Sequence, residues 1–233
     1  TMKKIKIIIP LVFTFCLNSV VYWGSPLLAS GMKAHNLSGK MDAVVPFMPQ
    51  FIIVYFGCYV FWLVNYVMIA ALDEEHRDRF FTADFYARMI CLFCFVFFPT
   101  TNIRPELAGH DFWTQAVRFL YSVDDPVNLF PSIHCMASTF CCIGLRGRKE
   151  IPKWYRYLSV MIAGLVFLST LALRQHVWID VIGGVLLAEG TWYFSLHTNG
   201  WKVYRRWTER AAKWIETRWK RLRCGKEWRN DGK

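Results

Sequence analysis

Two histidines and a carboxylate stand at the edges of long apolar runs in this chain. Pro131-Ser132-Ile133-His134 opens one run, and Arg174-Gln175-His176, followed four residues later by Asp180, opens another. Helical positions four apart share a face, so Asp180 can accept a hydrogen bond from one imidazole nitrogen of His176. The other nitrogen then keeps its lone pair, the arrangement of a nucleophile steadied by a third group. Such a pair can also simply knit helices together, but ionisable groups at a membrane span are expensive and tend to be kept for function. Pro131 suits the first turn of a helix, whose free amides would point outward near Ser132 and Ile133. Amides at a helix start, the Ser132 hydroxyl and the positive end of the dipole together form a phosphate seat. His134 is placed there to exchange a proton. Arg104, ahead of Pro105, and Arg174 offer guanidinium forks that match phosphate oxygens.

The elements that must hold these groups are apolar. Of 233 residues, 55% are hydrophobic and 17% aromatic, too many for an ordinary soluble domain of this length. The fold expected is all-α, an integral membrane bundle of six transmembrane helices. The runs are roughly 5–23, 50–72, 85–100, 129–145, 157–173 and 178–196, most of them near the ~20 residues a span requires. Arg88 lies near the start of the third, where a long side chain can snorkel to the interface. Lys3, Lys4 and Lys6 precede the first span, Arg146, Arg148, Lys149 and Lys153 separate the fourth from the fifth, and a basic tail follows the sixth. The positive-inside tendency makes these sides, and both termini, cytoplasmic. The connections around 33–49, 104–128 and 174–177 then meet on the extracytoplasmic side, with the chemistry. The segment Asp73 to Arg79 reads as a mixed-charge loop. A signal peptide is the other reading of the first span, but no small-x-small site follows and Pro26 interrupts the stretch. Thr1 ahead of Met2 reads as an added residue.

These residues resemble the type 2 phosphatidic acid phosphatase superfamily of membrane lipid phosphatases and phosphotransferases. Its three-part signature is Lys-x6-Arg-Pro, Pro-Ser-Gly-His and Ser-Arg-x5-His-x3-Asp. Arg104 and Pro105 match the first part, Pro131, Ser132 and His134 the second, and Ser169, His176 and Asp180 the third. The likeness covers about residues 85–189. The family's lysine falls at Phe97, its glycine at Ile133 and its third-part arginine at Thr170, so two cations of the cradle are missing. Arg174 can replace one charge. In this the chain is closer to the divergent branch that includes inositol phosphorylceramide synthase-like proteins.

The resemblance implies a mechanism. His176 attacks phosphorus, Asp180 steadies the charged ring, and His134 protonates the leaving oxygen, giving a phosphohistidine. Arg104, Ser132, Arg174 and the helix-end amides neutralise the equatorial oxygens. The first expectation is a metal-independent lipid phosphatase acting on a phosphate monoester or pyrophosphate at the outer face of a bacterial inner membrane. The alternative is a headgroup phosphotransferase that uses a lipid hydroxyl as acceptor, and a further one is a transporter or scaffold without catalysis. No cofactor or metal is expected. Asp124 and Asp125 lie near the second motif and read as an acidic turn ahead of Pro126. The partners expected are a lipid phosphate or phospholipid and the membrane, with no nucleic acid.

Residues 1–200 are expected to form the membrane domain and 201–233 a cytoplasmic tail. The tail holds twelve of the 28 lysines and arginines against four acidic residues. Trp207, Ala211, Trp214, Ile215 and Leu222 recur at helical spacing there, as in a helix lying on an anionic leaflet. The eight cysteines suggest no disulfide pattern, and Cys91-x-x-Cys94 sits in an apolar helix unsuited to metal or redox chemistry. His35 and His197 read as structural or solvated, and 24–49 as outer loop with a short interfacial helix.

Overall fold

The computed structural model describes the backbone of residues 2–230 and the side chains through residue 221. Among these residues eight α-helices run in order: α1 Met2–Leu28, α2 Ile52–Ala70, α3 Glu74–Phe97, α4 Phe112–Val123, α5 Ile133–Leu145, α6 Lys153–Ala172, α7 Trp178–His197 and α8 Gly200–Asn230. Two short 3-10 helices, Lys40–Val44 and Pro49–Phe51, precede α2. A two-residue parallel pairing joins β1 His35–Asn36 to β2 Thr100–Thr101.

Helix α5 is the centre of the bundle, packed by α7, α6 and α2. Eleven of its thirteen residues are buried, which no lipid-facing helix would show. The outer helices are reversed in character. Phe15, Trp23, Leu63, Phe93, Met161 and Leu186 are all more than 60% exposed, an apolar surface that suits lipid rather than water. Among the described residues four helices are long and apolar enough to cross a membrane: α1, α2 with its preceding turn, α3 and α6. The count of six is therefore not established by length and composition. At 13 residues α5 spans about 20 Å against a hydrocarbon core of about 30 Å, and Asp180, Glu189 and three glycines dilute α7.

Three other expectations change. Helix α3 begins at Glu74, not near Phe85, because the Asp73 carboxylate accepts the His76 amide at 2.9 Å and Glu75 pairs with Arg79 one turn on. Arg88 does not snorkel; it is 4% exposed and binds Asp84 through Nε at 2.8 Å and Nη2 at 3.0 Å. The stretch between α3 and α5 contains α4, capped by Asp111, whose Thr114, Val117 and Leu120 turn inward at helical spacing.

One end of the bundle gathers Lys6 with Glu74 and Glu209, and Arg148 with Asp73 and Glu150. The other end gathers the connections that carry the site. Helix α8 packs on α1 and α3 through Trp201, Tyr204, Thr208 and Ala212. That face is offset from the Trp207, Ala211 and Trp214 stripe, where the two tryptophans stay exposed. The side chains of Leu222 and Cys224 lie outside the described residues.

Candidate active site

The start of α5 and the start of α7 are held against each other by backbone. Ser132 N–H donates to the Asp180 carbonyl at 3.1 Å, and Gly184 allows the approach, since a Cβ there would stand 2.5 Å from the Ser132 oxygen. Ser132 is the N-cap of α5, its hydroxyl accepting the Cys135 amide at 3.3 Å. Pro131 therefore precedes the cap instead of occupying the first turn. The Ile133 and His134 amides have no partner among the described residues, as expected at a helix start.

Asp180 is fully buried and orients His176. One carboxylate oxygen, Oδ2, accepts from His176 Nδ1 at 3.3 Å and from the Val177 amide at 3.0 Å. Among the described residues Oδ1 is buried without a partner. With Nδ1 turned to Asp180, Nε2 of His176 is left to the cavity that its ring lines. His134 lies across that cavity, 5.7 Å away between ring centroids. Its Nε2 is likewise buried and unpartnered. Tyr55, Tyr59 and Trp62 of α2 wall in its ring at 4.7, 6.2 and 5.4 Å. The spacing of these three aromatics along α2 was a visible stripe, and sequence reasoning did not connect it to the site.

Besides the two histidines, the cavity is lined by Tyr22, Asp124, Asn128, Gln175 and neighbouring apolar side chains. Its volume is about 20 Å³, room for about one water, so seating a phosphoryl group requires side chains to swing. Asp124 proves to be more than a turn residue. Its carboxylate accepts from the Tyr22 hydroxyl through Oδ1 and from Tyr55 at 3.2 Å through Oδ2.

The two arginines separate. Arg104 reaches the cavity wall, donating to Gln175 Oε1 and to the Asp124 carbonyl, both at 2.6 Å, with its guanidinium over the Tyr121 ring. Burial pushes the Tyr121 hydroxyl up to about 12, so it stays a neutral donor, to the Leu173 carbonyl. Arg174 turns the other way, onto the carbonyls of Asp42 and Val45. Its backbone adopts φ +53° in the turn between α6 and α7, which sends the side chain towards the 40–44 segment and not to the cluster. Asp42 completes this clamp, accepting the Trp178 amide at 2.9 Å and the Gly39 amide at 2.6 Å. The outer loop expected from sequence is thus a brace on the start of α7. Nothing in its composition singled out Asp42.

A family profile described as the PAP2 superfamily matches residues 32–194. No curated protein and no solved structure matches the chain. The match spans every residue of the cluster just described except Tyr22, and leaves out all of α1 and α8.

Proposed function

The chain belongs to the PAP2 superfamily, whose members are phosphatases or phosphotransferases, and from that premise we propose that it cleaves a lipid phosphoester through a phosphohistidine on His176. The observation carrying this reading is the His176–Asp180 pair facing His134 across one buried cavity. His176 Nε2 attacks phosphorus while Asp180 offsets the charge that develops on the ring. His134 protonates the leaving oxygen, then takes a proton from the attacking water. The amides of Ile133 and His134, the Ser132 hydroxyl and Arg104 stabilise the equatorial oxygens. Arg174 is assigned to the loop clamp instead.

Hydrolysis of a lipid phosphate monoester or pyrophosphate is the reading the family resemblance offers first, and the charge around the cavity weighs against it. Headgroup transfer to a lipid hydroxyl is the second, favoured by one observation: the cradle carries a carboxylate, Asp124, where a doubly charged monoester would need cations. We further propose a six-span topology with the site on the extracytoplasmic side, both termini cytoplasmic and α8 along the inner leaflet. Purified protein is to be mixed with ³²P-labelled lipid phosphate and quenched. An acid-labile phosphoenzyme present in the wild type and missing in His176→Ala is expected, and turnover that survives in that variant would sink the mechanism.

A further inference from the structure

Gln175 has no role in the mechanism above, yet its polar side chain is buried in the cavity wall. A guanidinium can only donate, so Arg104 Nη2 at 2.6 Å must meet the amide oxygen of Gln175. That bond settles which way the amide faces and directs Nε2 away from Arg104. The side chain is 2% exposed, Nε2 has no partner among the described residues, and the residue lines the cavity with His134, His176 and Asp124. A buried donor without a partner is expensive to keep unless a ligand atom meets it.

We propose that Gln175 is a phosphate-binding and specificity-determining residue, its Nε2 donating to a non-bridging oxygen of the phosphoryl group that His176 attacks. The proposal rests on the phosphohistidine reading. The charge around the cavity says what this donor selects. Arg104 is committed to Gln175 and to a backbone carbonyl, Arg174 to the Asp42 and Val45 carbonyls, and Asp124 adds a carboxylate. A phosphate monoester carries about 1.5 to 2 negative charges at neutral pH; a diester carries one. A neutral amide backed by one arginine and offset by one carboxylate suits the diester. In the first step the His176 Nε2–P bond forms as the P–O bond to the lipid alcohol breaks, and His134 delivers a proton to that oxygen. Water or a lipid hydroxyl then forms a new P–O bond as the N–P bond breaks, and its proton returns to His134.

The test uses full-length protein in detergent with dioctanoyl phosphatidylglycerol as diester and dioctanoyl phosphatidic acid as monoester, following release of dioctanoylglycerol from each. Wild type is expected to favour the diester in kcat/KM. Gln175→Glu, of equal size but unable to donate, is expected to raise KM for the diester about tenfold. Gln175→Lys is expected to move the diester-to-monoester ratio about tenfold towards the monoester. A purely structural role would leave that ratio alone. Gln175→Met serves if the lysine variant does not fold, with the same rise in KM as Gln175→Glu. Wild-type release that is lost in His176→Ala, with KM and preference unchanged across the Gln175 variants, overturns this proposal and leaves the phosphohistidine reading standing. No release from either lipid with or without an added short-chain ceramide as acceptor hydroxyl, or release that survives in His176→Ala, overturns that reading and this proposal with it.

Discussion

Asp84 and Arg88 lie as deep in the bundle as His134, His176 and Asp180, but the two clusters are finished differently. The Asp84 carboxylate takes two bonds from Arg88, one from Tyr66 at 2.7 Å and one from Thr14 at 3.2 Å, while Arg88 also reaches Asn18. Every oxygen is used, and α1, α2 and α3 are tied together. In the other cluster Asp180 Oδ1, His134 Nε2, Gln175 Nε2 and Arg104 Nε are buried without partners among the described residues. A saturated network specifies packing, because breaking any member strands a charge. An unsaturated one around a cavity keeps donors and acceptors for a further molecule, which is what catalysis requires.

The contrast can be broken from either side. The largest effect is expected at the open cluster: His176→Ala lowers turnover by roughly 10³-fold or more, with the melting temperature in detergent shifted far less than the rate. A variant that loses folding and activity in parallel would erase the distinction. At the closed cluster Arg88→Leu is expected to cost about 3–5 kcal/mol of stability by leaving Asp84 unpaired. The double change Asp84→Leu with Arg88→Leu should recover much of that loss, with kcat per folded molecule unchanged in both. Thermal unfolding and active-site titration separate the two quantities.

Smaller effects test the braces. Asp42→Ala removes the carboxylate that caps α7 from outside and should cost about 1 kcal/mol, with a several-fold drop in kcat/KM as His176 loosens. Equal activity at equal stability loss would make the 40–44 segment a passive cover. At the opposite end, the Asp73 carboxyl lies below its ordinary range: burial opposes this, and the His76 amide and Arg148 outweigh it. Its folded value is below the unfolded one, so its stabilisation is present above the ordinary carboxylate range and is lost as pH falls through the folded value. Asp73→Asn should flatten that acid limb by about half a kcal/mol at most, since the pair is solvent-screened; stability measured against pH checks it.

The apolar runs and the four-residue spacing of His176 and Asp180 were legible because they are local, although His176 precedes α7 and Asp180 reaches back to it from the first turn; that Ser132 caps α5 was not read from the sequence. The family resemblance was legible for the same reason, through Arg104, Ser132, His134, His176 and Asp180. Boundaries were less so: the charges of 73–79 hid the first turns of α3, whose pairs form only once it is helical. The roles of Arg174, Asp124, Gln175 and Asp42 were not legible. Arg104 and Arg174 are alike as residues, and a positive φ in one turn sends the second away from the cavity. Gln175 becomes a directed donor only because Arg104, 71 positions away in sequence, takes its oxygen. The class of chemistry was readable from the sequence alone, since that depends on which groups exist and on their spacing along the chain. Which groups face the cavity, and with what net charge, was decided by the tertiary structure, because hydrogen bonds between distant segments set side-chain direction.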